Sequence, residues 1–153
     1  MRRWVSRGVV LALVLSAVPL LAASSPAISG VVSGIELCPQ FICGEAIFAG
    51  TFAGTIGHKP TTGSFWTGIT HEDLPTTTGG TSAITGGTWM IRTRTKVYSG
   101  YVEPGGTLTY NGDNTFAVSL TMVVTSGGTG TMNFTGILDH NPFPPTIVGT
   151  ITQ

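Results

Sequence analysis

Residues 46–56, Ala-Ile-Phe-Ala-Gly-Thr-Phe-Ala-Gly-Thr-Ile, decide the fold class. The even positions carry Ala46, Phe48, Gly50, Phe52, Gly54 and Ile56, and the odd positions carry Ile47, Ala49, Thr51, Ala53 and Thr55. A period of two is the mark of a β-strand. Glycines on the aromatic face permit the sharp curvature with which a small sheet coils upon itself.

The same period continues downstream. After turns at His58-Lys59-Pro60 and Thr61-Thr62-Gly63, a second strand over residues 64–70 sets Phe65 and Ile69 against Trp66. A third places Trp89, Ile91, Thr93, Thr95 and Val97 opposite Met90, Arg92, Arg94 and Lys96, and residues 97–103 form a fourth strand or a continuation. Residues 107–110 pair with a strand bearing Phe116, Val118, Leu120, Met122 and Val124 through Asn111-Gly112-Asp113-Asn114, and an Asn-Gly step between alternating runs is a strong hairpin signal. Met132, Phe134 and Leu138 mark a further strand and residues 146–152 the last. Short connections favour an antiparallel meander, because parallel strands need crossover helices. The expected fold is all-β: a small meander β-barrel of seven or eight strands, with a two-sheet sandwich as the alternative.

Upstream, Arg2, Arg3 and Arg7 precede an uncharged apolar run from Gly8 to Ala23, with small residues at Ala22, Ala23, Ser24 and Ala27. This is the pattern of a secretory signal peptide over residues 1–27; the run is short for a membrane span and Pro19 interrupts it. Residues 28–43 read as a lead-in with a small disulfide loop and residues 44–153 as the barrel. Without the signal, Lys59, Arg92, Arg94 and Lys96 face seven acidic residues, a net charge of −3. No basic surface of the kind nucleic acids require remains. Cys38 and Cys43 are expected to pair in an oxidising, extracytoplasmic compartment.

The steps Phe48-Ala-Gly50, Phe52-Ala-Gly54 and Phe134-Thr-Gly136, set in this strand order from Gly44 to Gln153, resemble the small eight-stranded barrels of the allene oxide cyclase and dirigent type. The resemblance implies a shape that binds hydrophobic ligands and in some members guides cyclisation or radical coupling. No catalytic residue of that group matches a position in this chain.

Residues able to carry chemistry are few. Trp66, Trp89, Tyr98 and Tyr101 could line an apolar pocket, as aromatic walls do in small-molecule sites. Arg92, Arg94 and Lys96, read as one strand face, form an anion or partner stripe. Glu45, His71 and Glu103 are candidates for proton transfer, and His58, Asp139 and His140 for metal ligation, though no cofactor is expected. The strand count decides which of these can meet. With eight strands, His58, Asp113, Asp139 and His140 share one end, and His71, Glu72, Asp73 and Glu103 the other. If residues 82–103 are one strand, His71 and His140 share an end. The first functional expectation is a secreted, non-enzymatic binder of an apolar small molecule or a surface partner, with no membrane span after signal removal. A barrel cyclase or isomerase and a structural cell-surface protein with a filled barrel are the alternatives.

Overall fold

The computed structural model describes residues 25–153, so the segment read as an export signal lies, up to residue 24, outside the described residues. Nine strands follow: β1 (Ile28–Cys38), β2 (Ala46–Ile56), β3 (Lys59–His71), β4 (Thr81–Thr93), β5 (Val97–Val102), β6 (Gly106–Tyr110), β7 (Thr115–Ser126), β8 (Gly130–Asp139) and β9 (Thr146–Thr152), with one helical turn, α1 (Gln40–Cys43), between β1 and β2. All pairings are antiparallel, and β9 pairs with β1 to close the sheet into a barrel.

Nine strands fill eight positions in the wall. β5 pairs with the second half of β4 (Gly87–Arg92) and β6 with its first half (Thr81–Ile84), while β7 pairs with both in turn. β5 and β6 therefore lie end to end as one broken stave. The break at Glu103-Pro104-Gly105 stays in the ladder, since Glu103 N–H donates to Thr121 O (2.9 Å) and Gly105 N–H to Ile84 O (2.9 Å). Opposite it β4 kinks at Gly86 and Gly87, both at positive φ, and its inward residues change from Ser82 and Ile84 to Trp89 and Ile91.

Two expectations are corrected. The stretch 28–38, read as a lead-in, is a full stave between β2 and β9, with Ile28 and Val32 buried inward. Its Ser and Gly residues look like a linker, and the outward Val31, Ile35 and Leu37 hide the alternation that would have revealed it. The turn expected at residues 58–63 is only Gly57-His58, where φ of 57° and 67° makes the tight hairpin whose twist matches its flanking strands; Thr61-Thr62-Gly63 lie within β3.

The inner face explains the Phe-x-Gly steps. Gly30 pairs with Gly54, Gly34 with Gly50 and Gly136 with Gly149, all on the barrel interior. The Phe134 ring lies against Gly136 and Gly149, and the Phe52 ring against Gly30. Alternating large and empty positions let a narrow barrel hold aromatic rings. Between Phe48, Phe65 and Phe134 the remaining void is about 10 Å³, so this level of the interior is filled.

Candidate functional site

The two ends of the barrel differ. At the end of the β2–β3 and β4–β5 turns lies an open hollow bordered by Ile56, Lys59, Arg94 and Tyr98. At the other end a cavity of about 490 Å³ opens, floored by Phe48, Ile69, Leu108 and Leu138 and flanked by α1. The Cys38–Cys43 disulfide closes α1 into a short loop, as the cysteine spacing led us to expect. The side-chain amide of Gln40 then ties α1 across the mouth: it accepts from His71 N–H and donates to His71 O, each at 2.7 Å.

Glu36 reaches this cavity because it continues the inward row of Ile28 and Val32 and pairs across the wall with the buried Phe48. Its backbone N–H donates to Pro145 O (2.8 Å), holding the β8–β9 loop beside it. That loop begins with His140, whose N–H donates to Asn114 O (3.0 Å) and whose ring stacks on Phe116 at 5.2 Å. His140 Nε2 consequently stands 3.8 Å from Glu36 Oε2, with the Glu36 side chain 8% exposed. His140 Nε2 is buried and has no hydrogen-bond partner, and Glu36 accepts no side-chain hydrogen bond among the described residues.

Burial pushes the Glu36 carboxyl above its ordinary value and the His140 imidazole below its own, with His71 adding to the second shift and Asp139 opposing it. At 3.8 Å an ion pair is within reach, yet both shifts favour the uncharged forms, because desolvation outweighs attraction here. His71 lines the same cavity; its Nδ1 lies in hydrogen-bond contact with Glu72 O, which can only accept, so Nδ1 is the donor there.

A raised carboxyl pKa fixes a sign. The fold favours protonated Glu36, so the penalty of ionising it is absent below about pH 4.5, grows as pH rises through the folded-state value, and is complete above it. Glu36→Gln is therefore expected to raise Tm by a few degrees at pH 8 and by almost nothing at pH 4, read by thermal melts across that range. An equal Tm for both proteins at every pH contradicts the burial account.

The other sequence candidates fall elsewhere. Glu45 lies over Gly68 on the outer wall, and Glu103 sits in the β5–β6 break. Trp89 and Tyr98 point inward below the mouth, whereas Trp66 and Tyr101 point outward, so the four form no common wall and none lines the mouth cavity. Arg92 is next to last in β4 while Arg94 and Lys96 lie in the turn after it, so they are a hairpin tip and not a strand-face stripe. Lys96 Nζ lies 5.1 Å from the Tyr98 ring centre, and an open hollow of about 340 Å³ beside Lys59, Arg94 and Tyr98 marks this basic end.

His58 is at that basic end, away from Asp139 and His140, and Asp139 Oδ1 is occupied by Asn141 N (2.8 Å) and Nδ2 (2.7 Å). Among the described residues no three His, Cys, Asp or Glu side chains converge as metal ligands. Because β5 and β6 share a stave, His71 and His140 meet at one end.

No protein family, curated protein or solved structure that we compared matches this chain. The assignment of a function therefore rests on the mouth cavity itself. Sequence reasoning missed Glu36, which only the period of β1 could have aimed inward. Among the described residues no helix is long and apolar enough to cross a membrane.

Proposed function

We propose that this is an exported binding protein whose barrel mouth takes an apolar small molecule. The carrying observation is the cavity of about 490 Å³ with an aliphatic and aromatic floor and the Glu36–His140 pair in its wall, the combination of apolar lining and few polar groups typical of ligand sites. The arginine-led apolar leader and the disulfide support an oxidising, extracytoplasmic setting.

Leu138→Trp tests the reading, because the larger side chain at the cavity floor occupies ligand space. Apolar molecules extracted from the exported protein and identified by mass spectrometry are expected to be present with the natural chain and depleted at least tenfold with the variant, at unchanged far-UV circular dichroism. Equal recovery from both proteins would falsify the proposal.

A barrel cyclase or isomerase is the second reading. It draws on one observation: a carboxyl and an imidazole, both displaced toward their neutral forms, stand 3.8 Å apart in apolar surroundings, as acid–base groups do. Recovery of the bound molecule chemically unchanged after prolonged incubation separates binder from catalyst.

A further inference from the structure

The mouth is chemically one-sided. Besides Glu36 and His140 it is bordered by His71, Glu72 and Asp73 at the end of β3 and in the loop that follows, and among the described residues no lysine or arginine lines it. Asp139 adjoins His140, and Asp113 and Glu45 belong to loops at this same end. The four lysines and arginines of the described residues, Lys59, Arg92, Arg94 and Lys96, stand at the opposite end. The barrel thus carries a negative mouth and a positive base, a field that draws cations to the cavity and turns anions away.

Inside the mouth two polar groups stand without hydrogen-bond partners among the described residues. Glu36 is over nine-tenths buried by side chain and accepts no hydrogen bond, and His140 Nε2 is buried without a partner 3.8 Å away. An unpaired buried polar atom costs stability, so a site that keeps His140 Nε2 beside a carboxyl with no hydrogen bond is suited to a ligand that supplies donors.

We infer that the ligand of the mouth cavity is an apolar molecule bearing a primary amine, its ammonium held between the Glu36 carboxylate and His140 Nε2 and its body on Phe48, Ile69 and Leu138. This rests on the binding reading above. An ammonium offers three donors and accepts none. A nitrogen about 2.8 Å from each acceptor would subtend an angle of about 85°, within reach of two of its N–H bonds. The His140 side chain is 27% exposed while its Nε2 is buried, so this contact requires the ring to turn toward the cavity. The ammonium also supplies the countercharge that Glu36 lacks, so binding favours the ionised carboxylate that burial alone disfavours. A hydroxyl can satisfy these groups without that charge; a carboxylate meets the like charges of Glu72, Asp73 and Asp139 at the mouth.

The test is calorimetric titration of the natural protein with decylamine, decanol and decanoate, below their micellar concentrations, at low salt and about pH 7.5. Decylamine is expected to bind at least about tenfold more tightly than decanol, and decanoate more weakly than either. Glu36→Gln should weaken decylamine about tenfold and leave decanol within about twofold. Lowering the pH to about 4.5, which shifts the Glu36 carboxyl toward its neutral form, should weaken decylamine in the natural protein while decanol holds, a readout that needs no variant. Decylamine no tighter than decanol, decanoate as tight as decylamine, or indifference to both pH and Glu36→Gln overturns the amine assignment and leaves the apolar cavity standing. Failure of all three compounds to bind overturns both, as does binding undiminished in Leu138→Trp.

Discussion

Gly50→Val is expected to prevent the barrel from forming, or to lower its Tm by more than about 10 °C, which for a domain of this size corresponds to a loss beyond about 3 kcal/mol. Gly50 is on the inner face of β2 opposite Gly34 of β1, and a Cβ built there is driven into the Ser33 carbonyl oxygen and the Gly34 Cα. Both obstacles are backbone. No rotamer change relieves them, so the two strands must part, and β1 is the stave through which the ring closes onto β9. The cause is space and not conformation, which gives the experiment its controls. Gly44, at φ 80° with nothing near its missing Cβ, should cost only about 1 kcal/mol on replacement by alanine. Thr51→Val, one residue along and facing outward, should stay within about 0.5 kcal/mol. Circular dichroism melts of the three proteins decide the matter; a Gly50→Val protein as stable as Thr51→Val would mean that β1 and β2 do not pack as closely as described.

Those glycines also show how far the fold could be read from the chain. The Phe-x-Gly steps of β2 and β8 were legible as curvature because an aromatic on one face and nothing beside it has few other uses in a strand. The hairpin at Asn111-Gly112 was legible for a similar reason: Thr107 to Tyr110 pair with Phe116 to Ser119 across a loop in which Gly112 and Asn114 take positive φ. Residues 28–38 were not legible. In that stave the inward face alternates Ile28, Gly30, Val32, Gly34 and Glu36, while the outward face keeps Val31, Ile35 and Leu37 half-exposed, so neither face stands out. A strand with glycine at two of its five inward positions reads as a linker until its neighbours are known.

The site suffered most from that omission. Its central carboxyl is on the misread stave, and its partner His140 reaches it only because β1 neighbours β9, a pairing between chain termini that no local pattern announces. The separation of charge was equally hidden. Arg92, Arg94 and Lys96 are close in sequence and looked like a feature of one strand, but their significance lies in sharing a barrel end with Lys59 and in the acids they leave at the other. Alternation gives the face of a residue; only topology gives its end.

Trp89→Ala is expected to cost about 3–5 kcal/mol, the largest single-residue loss available in the core after the glycines of the inner face. Trp89 is 1% exposed and the largest of the fully buried side chains. It pairs with Gly100 of β5, whose missing side chain leaves room for the indole, and its Nε1–H donates to Val123 O at 3.1 Å on the far side of that stave. The ring thus fastens β4 to β7 across β5, where β5 meets only the second half of each. Trp89→Phe separates the two contributions. It keeps most of the apolar volume but leaves the Val123 carbonyl without this donor, and should cost about 1–2 kcal/mol. The pair of variants also tests where the ligand sits. Trp89 is below the mouth and does not line it, so Trp89→Phe, assayed well below its lowered Tm, should bind decylamine as the natural chain does. Leu138→Trp should do the reverse, keeping the fold and losing the ligand. Loss of binding in a folded Trp89→Phe protein would move the site down into the barrel, toward the aromatic wall that the sequence first suggested.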